Sequence, residues 1–338
     1  MMSKNDEPIV VIEHLTKRYG GFVAVDDLNL TLERGRILGF IGPNGAGKTT
    51  TIKVLVGHAR PTSGFARING VDCTREPGKI KKLVGYMPDR FGAYDNMRVR
   101  EYLDFFGAAF GIPRKVRRKR IEEVMETAGI THMKDLFVES LSHGMQQRVG
   151  ITRTLLHDPD LLILDEPANG LDPRARIEIR ELLLHLAELG KTLIVTSHIL
   201  PELSRICDEV AIISQGKLRA SGTLEQILRQ VHQRRIWEVM LTNAEQLPAL
   251  EHKLRESLES DAEVDVSPAE ATVRCQTVAD DEKIQRVLHQ LVVDQFPVVQ
   301  FREIQLDLEE TFMTVTKGDQ AETTQKVETK SETRSAVT

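Results

Sequence analysis

The sequence predicts an α/β protein: a mainly parallel sheet core, an antiparallel β subdomain, an inserted helical subdomain and a small C-terminal α+β domain. Three observations predict the core. An apolar run, Ile37-Leu38-Gly39-Phe40-Ile41, leads into a glycine-rich loop, Gly42-Pro43-Asn44-Gly45-Ala46-Gly47-Lys48-Thr49-Thr50, and a polar helix opens at Lys48. The aliphatic run Leu161 to Leu164 ends in Asp165-Glu166-Pro167, and the run Thr192 to Ser197 ends in His198. Short buried strands alternating with helices imply a parallel sheet whose ligands lie at the carboxyl ends of the strands. Gly42, Asp165 and His198 all fall at such ends.

The loop has P-loop spacing, two glycines enclosing four residues and then Lys-Thr, in the strand–loop–helix context that the motif requires. Its glycines let successive N–H groups turn toward phosphate oxygens, and the helix N-terminus adds partial positive charge there. Lys48 can reach the β- and γ-phosphates, and the Thr49 hydroxyl can ligate Mg²⁺. A plain glycine turn would not need the Lys-Thr pair in register. Asp165 at its strand end suits Mg²⁺, directly or through water, and Glu166 beside it suits orienting or deprotonating a water. An Asp-Glu pair also serves as a helix cap, but here the next helix starts only after Pro173. A lone His is usually structural; His198, at a strand end beside a phosphate site, is a candidate γ-phosphate sensor.

The bulk numbers agree. A chain of 338 residues accommodates two domains, and 41% hydrophobic with 28% charged residues is globular composition. No apolar run approaches the roughly 18 residues that cross a bilayer, and the first residues lack a signal-peptide centre. Three scattered cysteines form no metal pattern and suit a reducing compartment. A formal net charge of −5 argues against global attraction to nucleic acid, and no nucleic-acid partner is expected.

Along the chain, Pro8 to Leu15 reads as a strand, Lys17 to Gly21 as a turn and Phe22 to Leu32 as returning strands. Tyr19 on that turn is an ordinary hairpin aromatic unless a nucleotide is near, in which case its ring stacks on adenine. Phe65 to Gly70 and Leu83 to Met87 are short strands. Val99 to Gly111 and Pro113 to Gly129 show helical spacing and look inserted. The basic run Arg114 to Arg120 reads first as a solvated helix face, second as a surface for a membrane or acidic partner. Helices are expected over Gln146–His157, Arg174–Leu189 and Pro201–Cys207, a hairpin over Glu209–Ala220, and a closing helix from Thr223.

These pieces together resemble the ATP-binding subunit of an ABC (ATP-binding cassette) transporter over about Ile9 to Arg229. Gly42 to Thr50 matches Walker A, Leu161 to Glu166 matches Walker B with its catalytic glutamate, and Leu141-Ser142-His143-Gly144-Met145 resembles the signature. Asn169-Gly170-Leu171-Asp172 resembles the D-loop, His198 the switch histidine, and Tyr19 the adenine-stacking aromatic. Met87-Pro88-Asp89, with Gly92-Ala93-Tyr94 after it, stands where the family has its Q-loop. The resemblance implies that Glu166, His198 and Lys48 are catalytic. It implies that Tyr19, Gly42 to Thr50, Ser142 and Gly144 bind ATP, and that Thr49, Asp165 and Asp89 contact Mg²⁺.

Two departures stand out. Asp89 occupies the usual Gln position; a carboxylate still binds Mg²⁺ but repels the γ-phosphate, so slow hydrolysis is expected. The signature usually reads Leu-Ser-Gly-Gly-Gln, and here His143 and Met145 fill its third and fifth positions. The resemblance also implies assembly. The signature of one cassette completes the nucleotide site of another, so a homodimer with ATP sandwiched is the simplest solution. The partner would be a separate membrane permease, which puts the chain at the cytoplasmic face of the membrane.

The expected organisation is a nucleotide-binding domain over 1–232 (helical subdomain about 95–160), an accessory domain over 233–316 and a disordered tail over 317–338. The accessory domain resembles the extension of ATPases serving type-2 ABC exporters, and Leu308 to Phe312 resembles their closing segment. The tail is too polar to offset its ordering entropy. The rival readings are a soluble ABC ATPase acting on ribosomes or nucleic acid and a nucleotide-gated regulatory module with little turnover.

Overall fold

The computed structural model describes residues 7–89, 92, 96–198, 203–231, 235–258 and 262–304, and the chain divides into two units, 1–224 and 225–338. The expected tail, the segment Leu308 to Phe312, Ala93-Tyr94 and the start of the Pro201 helix lie outside the described residues.

In the first unit, β-branched alternation builds β1 (Val10–Tyr19) and β2 (Phe22–Leu32), an antiparallel pair. The turn is only Gly20-Gly21. Residues Lys17 to Tyr19, expected in the turn, continue β1, because Lys17 and Arg18 pair across to Val25 and Val23. β4 (Ser63–Ile68) and β5 (Val71–Asp72) extend this sheet in the order β2-β1-β4-β5.

The second sheet is the predicted parallel core. β3 (Ile37–Ile41), β6 (Val84–Met87), β7 (Leu161–Leu164), β8 (Thr192–Ser197) and β9 (Glu209–Ser214) run parallel, and β10 (Lys217–Gly222) closes one edge antiparallel, in the order β10-β9-β3-β8-β7-β6. Every residue of β3, β7 and β8 is buried. Strands covered on both faces read as unbroken apolar runs, which is why the sequence displays them. α1 (Lys48–Leu55) follows the loop after β3. Its Ile52 and Leu55 join Ile12, Leu15, Phe40, Ile163 and Ile194 in one core. A short helix, α2 (Pro77–Leu83), has no counterpart in the sequence reading; Pro77 suits its first turn, and Lys81 and Lys82 suit its last.

The inserted helices are α3 (Val99–Ala109), α4 (Arg114–Thr127) and α5 (His143–Thr154). The basic run on α4 is only partly a solvated face. Arg117 forks onto Asp104 of α3, at 2.6 and 3.0 Å, and its side chain is 13% exposed. Arg120 donates to the carbonyls of Leu155 and Leu156 and to Asp158. α5 begins at His143, not near Gln146, because Ser142 is its cap. α6 (Pro173–Glu188) follows β7, capped by Asp172.

Beyond α5, His157 stacks on Phe110 at 4.1 Å between centroids. Its Nε2–H donates to the Val84 carbonyl at 3.1 Å, and Nδ1 is buried without a partner. Burial lowers the His157 pKa, with the Val84 carbonyl opposing. As pH falls, the unfolded chain binds this proton first, so the neutral ring's contribution is complete above about pH 6.5 and is lost below it. Urea midpoints of wild type and His157→Asn at pH 7.5 and 5.5 check this: the wild-type advantage is expected to shrink at the lower pH.

α7 (Leu224–Val231) spans the division. The second unit then runs β11 (Arg235–Leu241), α8 (Leu247–Ser257), β12 (Glu263–Ser267), β13 (Thr272–Thr277), α9 (Asp281–Val293) and β14 (Val298–Ile304). The four strands are antiparallel in the order β12-β13-β11-β14. This is the split βαβ arrangement of ferredoxin-like domains. One sheet face, with Val239 and Leu241, packs on Leu250 and Leu254 of α8 and Ile284 and Leu291 of α9.

On the other face, Glu238 stands in register with Arg274 and Arg302 and accepts from both, at 2.8 and 2.7 Å. Burial alone would raise its carboxyl; the two guanidinium groups outweigh that and hold it below its usual range. Glu238→Gln is expected to cost about 2 kcal/mol. The chain has one tryptophan, Trp237 on β11, so the fluorescence midpoint in urea reports this unit.

Candidate active site

The parallel strands deliver the site. Ile41 of β3 is level with Ser197 of β8, and Leu164 of β7 is level with Met87 of β6 and Val195 of β8. Gly42, Asp89, Asp165 and His198 therefore leave the sheet at the same end. There the loop curls tightly: Gly47 has φ +111, and a Cβ on it would lie 2.6 Å from the Ala24 carbonyl oxygen. The Ala46 carbonyl accepts from Gly216 N–H, and the Gly216 carbonyl from Asp26 N–H, both at 2.8 Å. Pro43, Asn44, Gly45 and Thr49 are exposed, and Thr50 is half-buried.

Lys48 is buried, and its ammonium donates to the carbonyls of Gly42 and Pro43. It also lies 3.8 Å from Glu166 Oε1. Burial lowers its pKa against the pull of Glu166 and Asp165. Asp165 is buried too, and its Oδ1 accepts from the Thr196 hydroxyl at 2.7 Å. That same hydroxyl oxygen accepts the Glu166 N–H at 2.9 Å. Burial raises the Asp165 carboxyl; the Thr196 hydrogen bond opposes, and the charges of Glu166 and Asp89 raise it further.

Glu166 has φ +52, a left-handed conformation uncommon outside glycine and worth notice at a site. Its other oxygen, Oε2, meets His198 Nδ1 at 2.8 Å. The glutamate side chain is 11% exposed and the histidine 39%, so one carboxylate is held between a buried ammonium and a solvent-facing imidazole. A carboxylate held in this way is a candidate general base.

The structure thus brings Lys48, Asp165, Glu166 and His198 together, with Asp89 near enough for its charge to act on Asp165 and Tyr86. The loop residues Gly42 to Thr50 surround Lys48, and the remaining candidates, Tyr19, Ser142 and Gly144, have other contacts. Tyr19 ends β1, 48% exposed, with the Lys17 ammonium 4.8 Å from its ring centroid. Ser142 and Gly144 open α5; Ser142 caps α5 itself, and a Cβ on Gly144 would meet Ala175 of α6 and Leu171 in the turn before it. Sequence reasoning passes over Thr196, whose hydroxyl joins Asp165 to the Glu166 backbone. The available signal is a hydroxyl inside an otherwise aliphatic buried strand, two residues before His198.

A lysine in the glycine loop after β3, set against an aspartate–glutamate pair that follows β7 with β8 between the two strands, defines the class: a P-loop nucleoside triphosphatase. The comparisons with known proteins narrow this. The family model described as ABC transporter matches residues 25–169. The chain is 36% identical over 288 residues to the Nod factor export ATP-binding protein I of Ralstonia nicotianae, covering 83% of this chain and 90% of that one. It is 44% identical over 211 residues to the bacitracin transport ATP-binding protein BcrA of Bacillus licheniformis, covering 62% and 68%. Among solved structures it is similar to cbiO1 from Clostridium perfringens, part of the ABC transporter complex cbiONQ, with TM-score 0.60, 29% identity and coverage of 67% and 95%. The chain belongs to the family of ABC transporter ATP-binding proteins, which bind and hydrolyse ATP.

Proposed function

We propose that this chain energises export of a substrate through a separate membrane permease, hydrolysing ATP with Glu166 as the general base. The observation that carries the chemistry is the convergence on Glu166: Lys48 on one oxygen, His198 on the other, and Thr196 on its backbone. In this reading Lys48 and the loop amides from Gly42 to Thr50 hold the β- and γ-phosphates. Glu166 takes the proton of the attacking water, and His198 fixes the carboxylate and senses the γ-phosphate. Tyr19 stacks on adenine.

The residues present fit Mg²⁺. Among the described residues no group of three or more His, Cys, Asp or Glu side chains could hold a metal, and Mg²⁺ is bound through one or two protein oxygens, waters and substrate phosphates rather than a protein cage. The Thr49 hydroxyl and the Asp165 carboxylate would supply those oxygens, with the charge of Asp89 acting on Asp165; bound there, the ion would neutralise charge on the phosphates. Asp89 adds a negative charge to this corner, which supports slow turnover.

Each chain carries one phosphate loop and one signature, which supports a homodimer in which Ser142 and Gly144 of one copy cap the ATP of the other. Among the described residues no helix is long and apolar enough to cross a membrane; that the similar cbiO1 is part of a transporter complex supports a separate permease here. Attachment to that permease would hold the chain at the inner face of the membrane. The name of one relative, a Nod factor export protein, supports export. The test is a tagged pull-down from detergent-solubilised membranes with mass spectrometry. Co-purification of a protein with several membrane-spanning helices is the expected result; ribosomal or DNA-bound proteins, with no membrane partner, would overturn it.

A further inference from the structure

We infer that His143 is a positioning residue for hydrolysis: its imidazole ties the start of α5 to the turn that carries Glu166. This rests on the assignment of Glu166 above. Ser142 caps α5, its hydroxyl oxygen accepting the Met145 N–H at 3.4 Å, which makes His143 the first helical residue. Its Nε2 lies 3.1 Å from the Asn169 carbonyl oxygen. A carbonyl only accepts, so Nε2 carries the proton and the ring donates. The N–H of the same Asn169 donates to the Glu166 carbonyl at 3.1 Å. One residue therefore separates the imidazole from the backbone of the glutamate.

The anchor at the other end is firm. A Cβ on Gly144 would lie 2.8 Å from Ala175 Cβ, so the first turns of α5 and α6 touch. Asp172 caps α6 through the Ala175 N–H at 2.8 Å. The ring also covers Gly170, where a Cβ would meet Nε2 at 3.7 Å. The turn is thus held at both ends, by Thr196 at the Glu166 N–H and by His143 at Asn169. A left-handed glutamate persists only where its surroundings over-determine it, and His143 supplies one of those restraints. The glycine usual at this position in the resembling signature has no side chain to do so, which makes the tie a property of this sequence.

The test uses the full chain as wild type, His143→Leu and His143→Gln, since glutamine keeps a side-chain N–H donor. Steady-state kinetics are expected to show kcat about tenfold lower in the leucine variant, with KM for ATP within about twofold of wild type. The glutamine variant is expected to recover most of kcat. Wild-type kcat in His143→Leu, or an equal loss in His143→Gln, would overturn the inference. Hydrogen–deuterium exchange of a peptide spanning residues 166–172 gives a second readout. Exchange should quicken in the leucine variant and not in the glutamine one, and identical exchange in all three would overturn the tie. Should the wild type hydrolyse no ATP, the base assignment fails while the exchange result still decides whether the tie exists.

Discussion

Glu166→Gln is expected to lower steady-state ATP hydrolysis by about 10²- to 10⁴-fold, the usual contribution of a positioned base, while ATP still binds. Glutamine keeps the shape, so its side-chain oxygen still reaches His198, and Thr196 still holds the backbone N–H. What disappears is the proton acceptor and one of the carboxylates crowding Asp165, whose own carboxyl burial has already raised. With less negative charge facing the γ-phosphate, the ATP state should outlast the apo state. Size-exclusion chromatography with light scattering on the variant should therefore show a dimer in ATP and Mg²⁺ and a monomer without them. A variant that stays monomeric counts against the sandwiched homodimer. A variant with wild-type turnover counts against Glu166 as the base.

Lys48→Ala carries the second large effect, on binding rather than turnover. A ligand at 100 times its Kd stabilises the folded state by about 2.7 kcal/mol, and wild type should show this as a rise in melting temperature with ATP and Mg²⁺. The alanine variant should show none, because it lacks the ammonium for the β- and γ-phosphates. Its apo melting temperature should barely move. Burial outweighs the attraction of Glu166 and Asp165 in setting the state of Lys48, so the charged lysine is held at a cost to folding. An undiminished ATP-induced rise in Lys48→Ala would overturn the assignment of the phosphate loop.

The strands that carry this chemistry were legible because they are buried on both faces. β3 and β7 read as apolar runs and β8 has Leu193-Ile194-Val195 at its centre, and the candidate residues Gly42, Asp165 and His198 follow the three strands. Elements that depend on partners were less so. The outer end of β1, Thr16-Lys17-Arg18, is polar, and only its pairing with Val23 and Val25 makes it strand. The first turn of α5 contains Gly144, which reads as loop until Ser142 is seen to cap the helix. Arg117 looks like any member of a basic run, and only the approach of α3 gives it Asp104. Thr196 and His143 were hidden for a related reason: each acts on a backbone group far along the chain, and pattern does not display such contacts.

The bridge from Ala46 through Gly216 to Asp26 has a genetic consequence. Gly216 has φ +79, and a Cβ on it would stand 3.0 Å from the Ala24 carbonyl oxygen, the same oxygen that crowds Gly47. Two glycines distant in sequence therefore share one wall, and a side chain at either would press on the strand behind the phosphate loop. In a screen for loss of transport, position 216 should score with the active site, although it belongs to a hairpin outside every motif. Suppressors should arise on the strand around Ala24 rather than in the loop itself, since relief has to come from the wall and not from the residues that grip phosphate.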